Sequence, residues 1–75
     1  MSWKKWADPQ VGDRVRALRS IDRNGADVGE GDEGVVDSPA EVGFDYYYGP
    51  LVVWDAGGVC NVYPGWVAIK EASDG

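Results

Sequence analysis

Histidine is absent from this 75-residue chain, and cysteine occurs once, at Cys60. A chain without histidine and with one thiol has no ligand set for a zinc cluster and no internal disulfide. The commonest general base is also missing, and the apolar strand around Cys60 predicts a thiol that behaves as a small hydrophobe. We therefore expect no enzyme activity, no metal and no cofactor.

Long apolar runs are also lacking. No stretch of the sequence approaches the ~20 apolar residues that a membrane-spanning helix needs. The first five residues, MSWKK, are not followed by the apolar segment of a secretory signal. A lone thiol without such a signal favours a reducing compartment. We expect a cytoplasmic protein with no membrane partner, of a small phage or bacterial type.

Basic residues are few, with seven Lys and Arg against thirteen Asp and Glu, for a net charge of −6. Residues 1–21 carry five cations against two acids, a local charge of +3, and residues 22–75 carry two against eleven, a local charge of −9. Nucleic-acid binding draws most of its affinity from phosphate neutralisation. The charge therefore argues against a nucleic-acid partner and suits a basic protein surface or simple solubility.

Five short segments have the composition of strands. The central one is Leu51–Trp54, which a connector at 55–58 with two glycines joins to Val59–Tyr63 in a predicted hairpin. Pro64-Gly65 ends that strand, and 66–69 resumes an extended run. Two strands precede the hairpin: 14–19, with Val15 and Ala17 on one face, and 34–38.

The connections between these strands are long. Residues 20–33 are predicted to form a loop rich in Gly, Asp and Asn, and residues 40–50 a second connection. The pattern predicts an all-β, five-stranded SH3-like barrel with long first and second loops. An OB-type barrel and an open five-stranded sheet are the alternatives. We expect residues 1–10 to be a tail packed on a barrel of 11–70, with Trp3 and Trp6 against its surface, and 71–75 to be disordered.

Four segments carry a family likeness: GDRV at 12–15, GDEGVV at 31–36, VVWDAGG at 52–58 and NVYPGWVAI at 61–69. They resemble the SH3-like domain of Mind bomb ubiquitin ligases and HERC-type proteins. The matching positions are Gly31, Gly34, Val36, Trp54, Asp55, Gly57, Tyr63 and Gly65. The chain departs from that pattern in lacking a tryptophan in the first loop and in carrying three consecutive tyrosines. The opening GDRVR is also similar to that of SH3-like accessory subunits of photosynthetic electron-transport complexes. The resemblance implies a peptide- or protein-binding module without catalysis.

Aromatic residues supply the candidate binding surface: Tyr46, Tyr47, Tyr48, Trp54, Tyr63 and Trp66. In an extended segment, Tyr46 and Tyr48 point to one face and Tyr47 to the other, so either a contact or an edge-shielding role is open to them. Tyr63, Trp66 and one of the tyrosines would form a groove for an extended Pro-rich chain, with core packing of Trp66 as the alternative.

The strand Leu51–Trp54 is apolar on both faces. If Leu51 and Val53 line the barrel, Val52 and Trp54 point outward and need cover from the tail, a second copy of the chain or a partner.

The first loop concentrates acids: Asp22, Asp27, Glu30, Asp32 and Glu33. Read as a calcium loop beginning at Asp22, it has alanine at position five and Asp27 where glycine is required, so the pattern fails. Three functions remain open: an aromatic binding module, an acidic inhibitor or decoy that engages a basic protein, and a structural subunit of a larger assembly.

Overall fold

The structure is a computed structural model that describes residues 3–5, 9–23 and 25–71. Within these ranges the chain forms ten β-strands and no helix, which confirms the all-β prediction. The strands are β1 (Trp3–Lys4), β2 (Arg14–Ala17), β3 (Ile21–Arg23), β4 (Ala26–Val28), β5 (Glu33–Ser38), β6 (Glu41–Val42), β7 (Tyr47–Tyr48), β8 (Leu51–Trp54), β9 (Val59–Asn61) and β10 (Val67–Lys70).

Six of these strands form one antiparallel sheet in the order β1-β10-β2-β5-β8-β9. The five strands predicted from the sequence are its members β2, β5, β8, β9 and β10. The predicted turn at 55–58 joins β8 to β9, and Gly57 and Gly58 adopt φ angles of 106° and 93°, which favour glycine. Among the described strands, no ladder joins the edge strand β1 to the edge strand β9, so strand pairing does not close a barrel.

The core lies on one face of this sheet. Val15 and Ala17 of β2 are buried, as their alternation predicts, while Leu18 after the strand is exposed. They pack in one cluster with apolar side chains from the neighbouring strands: Val36, Val52, Trp54, Cys60, Val62, Val67 and Ile69. Side chains of β2, β5 and β8 alternate between core and surface, whereas three consecutive residues of β10 are buried.

The expected orientation of β8 is wrong. Val52 and Trp54 are buried, Leu51 is half-buried and Val53 is exposed. The partner strand β5 decides which residues of β8 face the core. Directly paired residues of an antiparallel sheet share a face, and Trp54 pairs with the buried Gly34. Trp54 therefore lies in the core, needs no cover from another segment, and is not available as a surface contact.

Both long connections contain a hairpin of their own. Strands β3 and β4 pair within residues 20–33, and β6 and β7 pair within residues 40–50, so neither segment is the plain loop expected from its composition. Ile21, Ala26 and Val28 of the first hairpin are buried in the core cluster. Two or three inward side chains are thus enough to anchor a hairpin whose other residues are polar.

The N-terminal segment joins the sheet through β1. Trp3 pairs with Lys70 of β10, and the guanidinium of Arg16 lies 4.4 Å from the centre of the Trp3 ring. The prediction for Trp6 lies outside the described residues, as does that for the C-terminal tail after Glu71. Among the described residues, no helix is long and apolar enough to cross a membrane.

Candidate functional site

Three aromatic rings form a continuous row on the surface, which we call the aromatic row: Tyr47, Tyr63 and Trp66. The centres of the Tyr47 and Tyr63 rings are 5.9 Å apart, and those of Tyr63 and Trp66 are 5.1 Å apart. Both pairs meet edge to face, an arrangement that the ring quadrupoles favour. The structure thus brings together Tyr63, Trp66 and one tyrosine of the triplet, and that tyrosine is Tyr47.

A tight turn holds the Trp66 end of the row. The Trp66 amide donates to the Tyr63 carbonyl at 3.0 Å, across Pro64 and Gly65. Proline second and a glycine with φ of 89° third are typical of a type II turn. The Trp66 carbonyl also accepts from the Leu18 amide at 2.8 Å, which fixes the turn to the end of β2.

A close backbone approach holds the Tyr47 end. A Cβ atom on Gly49 would lie 1.6 Å from the Val62 carbonyl oxygen, so only glycine fits there without movement. The Asn61 amide side chain donates to the Gly49 carbonyl at 2.8 Å, and the Val62 amide donates to the Pro50 carbonyl at 3.0 Å. The chain after the tyrosine triplet is therefore fixed against the end of β9, beside Tyr63.

The other two tyrosines lie on the opposite face, as the alternation predicts. The ring centres of Tyr46 and Tyr48 are 5.4 Å apart, and the Tyr46 hydroxyl donates to Glu41 at 3.3 Å. Both side chains are exposed. The triplet thus contributes one ring to the aromatic row and two to a separate surface.

Two arginines, which we call the arginine pair, cover one end of the row. The Arg19 guanidinium lies 5.6 Å from the centre of the Trp66 ring, and that of Arg23 lies 5.2 Å from the Tyr63 ring and 5.8 Å from the Trp66 ring. These are cation–π distances. The sequence interpretation missed both residues, although Asn24-Gly25 between two alternating segments is a strong hairpin signal that would have placed Arg23 beside β4.

Surface cavities adjoin both ends of the row. Trp66 lines a cavity of about 120 Å³ together with Arg19, Ile21 and Arg23. Tyr47 lines a wider one of about 290 Å³ that also involves Pro9, Pro39 and Val42. An extended chain lying on the row would therefore reach a recess at each end.

Trp54, by contrast, belongs to the core. Its side chain is 2% exposed, and its indole N–H donates to the Cys60 sulfur at 3.3 Å. Cys60 is fully buried in β9. Its sulfur serves as the hydrogen-bond acceptor that a buried indole requires.

The acids of the first connection do not form one cluster. Asp22 and Asp27 are exposed and directly opposite each other in the β3–β4 hairpin, and Glu30 is exposed. Asp32 accepts from the Gly29 amide at 2.8 Å and so stabilises the turn that leads into β5. Among the described residues, no group of three or more potential ligands is arranged to hold a metal ion.

Glu33, the fifth acid, belongs to the sheet. It accepts from Arg16 at 3.2 Å and from Arg14 at 3.1 Å, and Arg14 also pairs with Asp55. The hydrogen bond from Arg16, aided by that from Arg14, holds the pKa of Glu33 below its ordinary value against an opposing desolvation effect. The hydrogen bonds that Arg14 donates to Asp55 and Glu33 raise its own pKa above the ordinary value.

No family model, curated protein or solved structure matches this chain. Its function is therefore inferred from the chemistry of the aromatic row and of the surfaces around it.

Proposed function

We propose that this chain is a non-enzymatic module of SH3-like architecture that binds a peptide or an extended protein segment along the aromatic row. The observation that carries the proposal is the line of edge-to-face rings between two recesses. Tyr47 is 39% exposed and Tyr63 is half-buried, whereas Trp66 is half-buried because it also packs against the core cluster, so the row is partly accessible to a ligand. Rings of this kind give large contact area at a small cost in side-chain entropy.

The position of the row in the fold supports the same proposal. The second connection supplies Tyr47, the first supplies Arg23 over the Tyr63 and Trp66 rings, and the corner before the last strand supplies Trp66. An SH3-like module that takes Pro-rich chains places its aromatic groove between such elements. The strand order β10-β2-β5-β8-β9, in which the last of these strands in the chain lies next to the first, agrees with a sheet that curls back on itself.

A peptide library displayed on phage tests this proposal when the whole chain is the bait. We expect enriched peptides with proline or apolar residues, and at least tenfold weaker binding to Tyr47→Ala and Trp66→Ala, about 1.4 kcal/mol or more. Tyr48→Ala is the matched control, because it removes the same side chain from the other face. Equal losses in Tyr48→Ala and Tyr47→Ala, or no enriched peptide, would contradict a site on the row.

One observation favours a second candidate, an acidic inhibitor or decoy that engages a basic protein. Asp22 and Asp27 are paired across the exposed hairpin, and like charges in such a pair are destabilising for the fold. With Glu30 nearby in sequence, they would present a negative surface to a partner. Under this candidate, binding of a basic protein falls when Asp27, Glu30 and Asp32 are changed to their amides and is unaffected by Trp66→Ala.

The third candidate, a structural subunit, rests on two exposed valines. Val53 and Val59 are directly paired across β8 and β9, and β9 is an edge strand of the sheet. Edge strands with apolar side chains can pair with another chain. A molecular mass that rises with protein concentration, and that Val59→Lys restores to the monomer value, would support this candidate.

A further inference from the structure

The arginine pair has no ionic partner within the described part of the chain. The ion pairs there are formed by Arg14 and Arg16 with Glu33 and Asp55, and none involves Arg19 or Arg23. Both members of the pair lie over aromatic rings. Because no acid of the described residues is ion-paired with these two guanidiniums, their N–H donors can be offered to a ligand.

The cavity beside Trp66 puts this capacity within reach of a ligand. It is open to solvent and is lined by Arg19, Ser20, Ile21, Asp22, Arg23 and Trp66. Two positive charges and the single negative charge of Asp22 leave this recess cationic. At about 120 Å³ it has room for the head group of an acidic side chain, since a water molecule takes about 30 Å³ of liquid volume.

We infer that the arginine pair recognises an Asp or Glu side chain of a peptide that lies along the aromatic row. This inference rests on the proposed function. A planar guanidinium matches a carboxylate through two parallel hydrogen bonds, and stacking on Trp66 or Tyr63 limits its motion before the ligand arrives. The rest of the ligand would contact the rings at Tyr47 and Tyr63.

The geometry of the row sets the spacing of the recognised motif. The ring centres advance by 5.9 Å and then 5.1 Å, and an extended chain advances about 3.3 Å per residue. The acid should therefore lie about three or four positions from the residue on Tyr47, towards either end of the peptide, with proline or apolar residues between them.

The net charge of the chain predicts a ligand of the opposite sign from the one inferred here, so the two can be told apart. A net charge of −6 favours basic ligands if binding follows the overall field. A preference for acidic peptides can come only from a local cationic site, and the arginine pair over the aromatic row provides one.

The experiment compares two dye-labelled forms of one peptide enriched by the whole chain, one with the acid and one with the corresponding amide. For the wild-type chain we expect the acidic form to bind about tenfold more tightly, as an exposed charge-assisted contact allows. For the double variant Arg19→Gln with Arg23→Gln we expect equal binding of the two forms. Lys5→Gln with Lys70→Gln is the matched control, because it gives the same net charge away from the row and should keep the preference.

Three results would overturn the inference: enriched peptides without an acid at the stated spacing, equal binding of the two forms to the wild-type chain, or a preference that survives in the arginine variant. A form of the peptide with a phosphorylated residue in place of the acid that binds at least tenfold more tightly than the acidic form would reassign the site to phosphate. Arg19→Lys with Arg23→Lys keeps the charge but loses the paired hydrogen bonds, so it should retain part of the preference. The proposed function fails separately, if Trp66→Ala leaves the affinity of both peptide forms unchanged.

Discussion

Replacing Gly49 with alanine should strongly destabilise this fold. The added Cβ would lie 1.6 Å from the Val62 carbonyl oxygen, whereas ordinary contacts begin near 3.4 Å, so the two backbone segments must separate by well over 1 Å. That separation strains the hydrogen bonds that Gly49 and Pro50 accept from Asn61 and Val62. Overpacking costs about 1–3 kcal/mol, and each lost hydrogen bond adds about 0.5–1.5 kcal/mol.

The expected total is about 2–6 kcal/mol, against a stability of about 4–11 kcal/mol for a chain of this size. Thermal unfolding followed by circular dichroism should show a fall in Tm of at least about 8 °C, given about 4–8 °C per kcal/mol. Gly29→Ala is the matched control, because its Cβ would meet the nearest atom, Oδ2 of Asp32, at an ordinary 3.6 Å. If Gly49→Ala and Gly29→Ala unfold within about 0.5 kcal/mol of each other, a value typical of neutral surface changes, the close approach is not real.

Three further predictions test the fold. The free energy of unfolding should fall as the pH falls below about 4.3 and through the lowered pKa of Glu33, because the folded chain loses two arginine contacts when Glu33 takes up a proton. In Glu33→Gln the free energy of unfolding, measured by urea titrations from pH 7 to pH 3, should depend less on pH. An unchanged pH dependence in this variant would contradict the role of Glu33. Cys60→Val leaves the indole N–H of Trp54 without an acceptor and should cost about 1–3 kcal/mol in urea unfolding. Cys60→Ser keeps an acceptor, so a larger loss of unfolding free energy in Cys60→Ser than in Cys60→Val would argue against this hydrogen bond. Asp27→Lys turns the Asp22 pair into opposite charges and should raise stability by about 0.2–1 kcal/mol at low salt, a gain that 1 M salt should remove.

The main sheet could be predicted from the sequence because its signals are local. The segment before Asp55 is apolar, Gly57 and Gly58 supply the positive φ angles of the turn, and Pro64-Gly65 supplies the corner that fixes Trp66. The alternation of the tyrosines likewise gave the correct division between Tyr47 and its two neighbours.

The missed features depend on contacts distant in sequence. The orientation of β8 could not be predicted from its own residues, since both faces are apolar and the pairing with Gly34 of β5 decides which side faces the core. The contact of Arg23 with Tyr63 joins residues forty positions apart and exists only because the β3–β4 hairpin forms. The first short hairpin offers few apolar residues, and each strand of the second is only two residues long, so neither was distinguishable from a loop by its composition.

The pairing of β1 with β10 has a consequence for engineering. Trp3 and Lys70 are directly opposite in an antiparallel ladder, where neighbouring strands lie about 4.8 Å apart. A short linker can therefore join these two positions, and new ends can be opened in the exposed turn between β8 and β9. Such a circular permutant would carry its new ends at that turn, outside the three residues of the aromatic row. The same adjacency would let a host protein receive this domain within one of its surface loops, with both connections entering side by side.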